Sequence, residues 1–197
     1  MRREMVGIVS STADQYRQVV ERCWKVFESK FVEYGPSWRV FRPETLCDRI
    51  YIKAARIRHL QAIGGVGKVD DSIESEYVGI VNYSVILLDR IANEGFAAPD
   101  LGAPVAARWL DLNAAQESYR RIIDAATDIL EKKNHDYNEV WRQLLLTTFA
   151  DEILSRVLRM REILQTQEVD RPAVEAQLVD VINYSAFALI RMGEGSV

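Results

Sequence analysis

The chain has 197 residues, a formal net charge of -4, and 48% hydrophobic against 27% charged residues. That length buries a core without disulfides or metals, and the acidic balance argues against a dedicated nucleic-acid binder, which carries an overall basic face. Cys23 and Cys47 lie in apolar surroundings without CxxC spacing, so they are expected as core thiols with no disulfide partner. Arg2 and Arg3 open the chain without an apolar run of signal-peptide length, and no stretch of about 18 apolar residues occurs; the expectation is a cytoplasmic protein with no membrane segment.

Taken in chain order, residues 12–31 place Tyr16, Val19, Val20, Cys23, Val26 and Phe27 at spacings of three and four, which predicts a helix with one apolar stripe. A Tyr/Trp turn follows at Tyr34 to Trp38. Thr45-Leu-Cys-Asp48 fits a helix-opening pattern, a hydroxyl and a carboxylate three residues apart satisfying free amides, for a helix over 45–62. Gly64-Gly65-Val-Gly67 ends it, and a third helix covers 72–93. A linker, 94–104, carries Gly95, Pro99, Gly102 and Pro104. Helices are then expected over 105–133, over 148–166 from Thr148-Phe-Ala-Asp151, and over 172–192, introduced by Asp170-Arg-Pro172. Nothing reads as a strand, so the expected class is all-α.

The second three helices repeat the first. At an offset of 103, Tyr16-Arg17, Lys30, Tyr34, Trp38-Arg39, Thr45, Asp48, Arg56 and Arg58 meet Tyr119-Arg120, Lys133, Tyr137, Trp141-Arg142, Thr148, Asp151, Arg159 and Arg161. Beyond a loop two residues longer in the first copy the offset is 101, and Asn82-Tyr83-Ser84 meets Asn183-Tyr184-Ser185. An internal duplication explains this register. The expected architecture is a single domain over 1–197, a helical bundle of two tandem three-helix repeats, 12–93 and 105–192, related by a pseudo-two-fold axis.

Candidate functional residues come with structural alternatives. Asn82 and Asn183 lie inside apolar helices, where an amide needs a partner: a contact that sets helix register, or a ligand. Asp180 stands where the first copy has Gly79, and it shares a helix face with Asn183 and Tyr184, as oxygen ligands of a divalent ion would; the alternative is a solvated surface charge. Glu175 is a further candidate ligand, turned away from Asp180 by a five-residue separation. Asp48 and Asp151 are candidate substrate or metal ligands, with capping in the Thr-x-x-Asp pattern as the favoured alternative. Lys53, Arg56, Arg156 and Arg159 lie in basic rows suited to phosphate oxygens, or form a solvated helix face. Tyr34 with Trp38, and Tyr137 with Trp141, stack on a base or anchor a turn to the core. His59 and His135 fall at unrelated positions, which excludes a histidine-rich metal site.

Lys133-Asn-His-Asp136-Tyr137-Asn-Glu-Val-Trp141-Arg142, the helix from Thr148 to Arg161, and Asp180-Val-Ile-Asn183-Tyr184 resemble the nucleotide-modification-associated domain 1 family in its duplicated bacterial form, over about residues 12–192. The resemblance implies a helical domain that binds or acts on nucleotides, akin to the all-helical MazG-like nucleoside triphosphate pyrophosphohydrolases. Those enzymes gather Mg²⁺ with Glu-Glu-x-x-Glu and Glu-x-x-Asp helices, and neither pattern occurs here. By resemblance the functional positions are Asp180, Glu175, Asn183, Tyr184, Lys53 and Arg56.

The leading expectation is a nucleotide-binding protein, a Mg²⁺-dependent phosphohydrolase of modified or noncanonical nucleotides. Asp180 would be its catalytic acid, Asp180 and Glu175 its metal ligands, and Lys53, Arg56, Arg159, Tyr137, Trp141, Asn82, Asn183 and Tyr184 its substrate contacts. Because Gly79 replaces Asp180 in copy one, function is expected in the second copy. The other expectation is a non-enzymatic structural or regulatory module that binds a protein partner or a second copy of itself as a homo-oligomer.

Overall fold

The structure is a computed structural model that describes residues 11–65, 67, 71–102 and 111–195. Among these every regular element is helical: α1 (Thr12–Tyr34), α2 (Pro43–Ala62), α3 (Ile73–Glu94), α4 (Leu112–Tyr137), α5 (Leu146–Leu164) and α6 (Arg171–Glu194). Short 3-10 turns at Ser37–Val40 and Val140–Gln143 carry Trp38 and Trp141. The expected start of the fourth helix at 105 lies partly outside the described residues, which resume at Asp111.

Helix ends follow their local chemistry. Ser11, Ser72, Asp111 and Asp170 each cap a helix by accepting from the backbone amide three residues on. α1 stops at Gly35 with φ 62°, and its counterpart α4 stops at Asn138 with φ 48°, the residue type that best tolerates this left-handed corner after glycine. The middle helices differ from the sequence expectation. α2 begins at Pro43 and α5 at Leu146, so Thr45 and Thr148 already lie in the first turns and Asp48 and Asp151 in the second, and neither helix has a side-chain cap. Pro43 accounts for the earlier start of α2, because its fixed φ suits a first-turn position that needs no amide hydrogen. The two carboxylates instead face basic groups across the copies: Asp48 meets Arg161 at 3.1 Å and Asp151 meets Arg58 at 3.8 Å. Both pairs are exposed, and they repeat each other under the duplication.

The core is a four-helix layer. α2 packs on α3 and α5 on α6 within the copies, while α3 packs on α6 and α2 on α5 between them. Leu46, Ile50, Ile57, Phe149, Ile153, Val157 and Met160 are fully buried at the three- and four-residue spacings of one helix face. Each such side chain contributes roughly 1.5–3 kcal/mol by leaving water. α1 and α4 flank this layer, each touching both α3 and α6. The two copies thus bury their faces against each other, as subunits of a dimer would. α6 is long and apolar enough to cross a membrane by length and composition, and 61% of its apolar window is buried inside the bundle. Cys23 and Cys47 are buried free thiols.

Candidate functional site

The repeated Asn-Tyr pairs sit where α3 and α6 cross beneath α1 and α4. Asn82 donates its amide to Cys23 O of its own copy at 3.1 Å and accepts from the Tyr119 hydroxyl of the other copy at 2.8 Å. Asn183 repeats this, donating to Ala126 O at 3.3 Å and accepting from Tyr16 at 2.8 Å. The polarity inside these apolar helices is therefore met by the protein itself, and it locks four helices in register. Burial pushes the Tyr16 and Tyr119 hydroxyls far above their ordinary pKa, so both remain donors.

The first copy holds an open cleft of about 390 Å³ between α1, the Trp38 turn, α2 and α3. Its walls carry the rings of Tyr34, Trp38 and Phe41 and the charged groups of Lys30, Lys53, Asp71 and Glu76, with the Lys30 ammonium 5.1 Å from the Tyr34 ring centre. Trp38 is anchored by the tilted rings of Phe27 and Phe31 at centroid distances of 5.2 and 5.7 Å, and it remains half-buried. Glu76 is the least expected component. It is 4% exposed, inside an apolar helix, and accepts from Lys53 at 2.9 Å and from Arg56. Arg56 also donates to Asp71 O at 3.0 Å. Lys53 reaches Glu76 by lying across Gly79, where a Cβ would come within 2.6 Å of Lys53 Cε. A side chain at position 79 would push the flexible end of Lys53 off this path.

The second copy arranges the equivalent residues otherwise. Asp180 accepts from Lys133 and from Arg156 Nε at 3.2 Å. Arg156 also pairs with Glu152 and lies over the Tyr184 ring at 4.5 Å. Burial alone would lower the Arg156 pKa, yet Glu152 and Asp180 hold it above its ordinary value; burial raises that of Tyr184. Trp141 is 5% exposed and stacks flat on Phe187, with centroids 4.2 Å apart and planes 7° apart. Arg142 caps this stack from its other side, 4.3 Å from the Trp141 ring centre. Tyr137 points out at 67% exposure, and Arg159 pairs with Glu162 on the surface.

The structure thus places Lys53 and Asn82 in the wall of the first-copy cleft, with Arg56 behind it on Glu76, and brings Asp180, Tyr184 and Trp141 around a filled counterpart. Glu175 joins neither; it pairs with Arg171 at 2.7 Å. Both Asp180 oxygens face cations, and among the described residues no group of three or more His, Cys, Asp or Glu side chains converges as a metal site. The donors present do not fit a divalent ion. The sequence weights function toward the second copy, whereas the open space lies in the first. Glu76 carries no sequence signal of its own, because with Glu74 it reads as one of the acids usual in a helix's first turn; only its burial sets it apart.

A second large groove, about 590 Å³, runs between α1 and α4 along the pseudo-two-fold and is lined by related pairs such as Tyr16 with Tyr119 and Arg17 with Arg120. Comparison with known proteins separates the two cavities. The family model described as nucleotide modification associated domain 1 matches residues 30–90 and 133–192. No curated protein and no solved structure matches the chain. The groove between α1 and α4 lies outside both matched segments, while all of the cleft except Val26 and Phe27 lies inside the first. The matched segments cover more than half of the chain, one in each copy, and the chain belongs to the nucleotide modification associated domain 1 family.

Proposed function

We propose that the protein binds a nucleotide in the first-copy cleft and does so without hydrolysing it. The observation that carries this reading is the cleft's composition: the rings of Tyr34 and Trp38 with the ammonium groups of Lys30 and Lys53, the latter beside the carboxylate of Glu76, within one space of about 390 Å³ almost wholly inside the family-matched segment. A base gains from stacking on an indole or phenol face, and phosphate oxygens gain from ammonium donors. The rings suit the base of a nucleotide and the ammonium groups its phosphates. Binding rather than hydrolysis is favoured because Asp180 and Glu175 are held by separate cations and share no metal-ligand set.

The test is equilibrium titration of the full chain with a panel of nucleoside mono-, di- and triphosphates, including modified bases, followed by product analysis. The expected result is saturable binding that Trp38→Ala weakens on the order of tenfold, the scale of one lost stacking contact. Release of phosphate or pyrophosphate that depends on Asp180 would overturn the non-hydrolytic part. Absence of binding across the panel, or equal binding by a folded Trp38→Ala variant, would overturn the whole reading.

A further inference from the structure

The following rests on the reading of the first-copy cleft as a nucleotide site. Lys30 and Lys53 correspond through the duplication to Lys133 and Arg156, and in the second copy both cations close on the Asp180 carboxylate. Trp38 corresponds to Trp141, whose ring is covered face to face by Phe187. The first copy has Gly79 and Ile86 at the positions of Asp180 and Phe187. With no carboxylate at position 79, Lys53 folds across the glycine to Glu76, and Lys30 turns outward to Glu33 at 3.1 Å. The second copy therefore carries, on its own α6, two groups that the first copy lacks at the matching positions: a ring stacked flat on the tryptophan, and a carboxylate shared by the cations equivalent to Lys30 and Lys53.

We propose that Phe187 and Asp180 are built-in counterparts of the first copy's ligand, whose base stacks on Trp38 and whose phosphate sits over Gly79 between Lys30 and Lys53. The two counterparts are seven residues apart on one helix, so they share a face and stand about 10 Å apart along its axis. A free base or a lone phosphate fills only one end of that span. Base, sugar and phosphate chain together fill both, which makes a nucleoside 5′-phosphate the ligand class. Glu76 fits this arrangement. When a phosphate draws Lys53 away, Arg56 remains on the carboxylate, and no buried acid is left unpaired. In this arrangement Gly79 acts as a positioning residue, because a side chain there would shift the end of Lys53 that reaches the anion.

The experiment compares nucleoside 5′-phosphates, the matching nucleosides and inorganic tripolyphosphate on the full chain, with Gly79→Asp, Gly79→Asn, and Lys30→Met combined with Lys53→Met. Nucleotides are expected to bind ten- to a hundredfold tighter than nucleosides, roughly the worth of charge-assisted hydrogen bonds, and tripolyphosphate is expected to compete. Gly79→Asp places a carboxylate at the position of Asp180 and is expected to lose nucleotide affinity by more than Gly79→Asn, which has the same size without the charge. The double lysine variant is expected to bind nucleotides no better than nucleosides, and it decides the matter if Gly79→Asp does not fold. Nucleotides binding no tighter than nucleosides, or full affinity in the double lysine variant, would overturn the placement of the anion while leaving nucleotide binding in the cleft intact. Failure of every nucleotide and nucleoside to bind would overturn both.

Discussion

Tyr16 of the first copy donates its hydroxyl to Asn183 of the second at 2.8 Å, and Tyr119 returns the same bond to Asn82 at the same distance. Each asparagine also holds the flanking helix of its own copy through a backbone carbonyl. The bonds therefore cross between copies and within them, so neither copy can slide along the other without breaking a buried pair. Tyr16→Phe and Tyr119→Phe each leave an asparagine oxygen buried and unpaired, at a cost of about 1–3 kcal/mol. Urea unfolding of the single variants measures this. In a double-mutant cycle, Tyr16→Phe with Asn183→Leu should show a coupling of roughly 1 kcal/mol; additivity would mean that the bond contributes nothing.

The helix starts yield a contrast between acids that look alike in sequence. Asp170 and Asp111 accept from the amides of Ala173 and Ala114 at 3.0 and 2.8 Å. Replacing either by alanine should cost about 1 kcal/mol, the usual worth of a cap. Asp48 and Asp151 cap nothing and make exposed pairs with Arg161 and Arg58. Their alanine variants should lie within about 0.5 kcal/mol of the parent. A loss at Asp48 equal to that at Asp170 would restore the capping role that the sequence pattern suggests.

Much of the architecture was legible because it rests on periodicity and identity. Apolar spacing marks all six helices, and the recurrence of Asn82-Tyr83 as Asn183-Tyr184 marks the crossing point of the copies. The start of α2 was not legible, because Thr45-Leu-Cys-Asp48 reads as a cap until Pro43 is seen to sit in the first turn. The open cleft was hidden for a different reason. Gly79 opposite Asp180 reads as a missing carboxylate, and only the paths of Lys53 and Arg156 reveal that the acid closes one cleft while the glycine leaves room in the other. Side-chain direction decides this, and one-dimensional spacing does not carry it.

Glu76 holds two cations together at the rim of the cleft, with Lys53 27% and Arg56 24% exposed. Glu76→Gln keeps the shape and removes the charge, leaving two partly buried cations facing each other. The expected loss is about 1–3 kcal/mol, below the cost of breaking a fully buried pair because solvent reaches both partners. Thermal unfolding at low and high salt checks it. A difference between wild type and variant that shrinks as salt rises supports an electrostatic origin. A loss unaffected by salt would assign the effect to packing.

Burial pushes the thiols of Cys23 and Cys47 up to about 12, from an ordinary value of 9.0. Both are therefore neutral in the folded chain wherever an unfolded thiol would ionise. Since the folded pKa is raised, the contribution of these groups to stability is fully present below pH 9 and is lost as pH rises toward 12. Stability measured by urea unfolding should fall across that window, and the fall should shrink in a Cys23→Ala, Cys47→Ala double variant compared with its own value at pH 8. Thiol reagents report the same physics kinetically. At pH 8 both cysteines should react only as fast as the chain opens, and urea should restore the rate of a free thiol. Rapid labelling of either residue in the native protein would mean that α1 or α2 leaves the core far more often than its buried contacts allow.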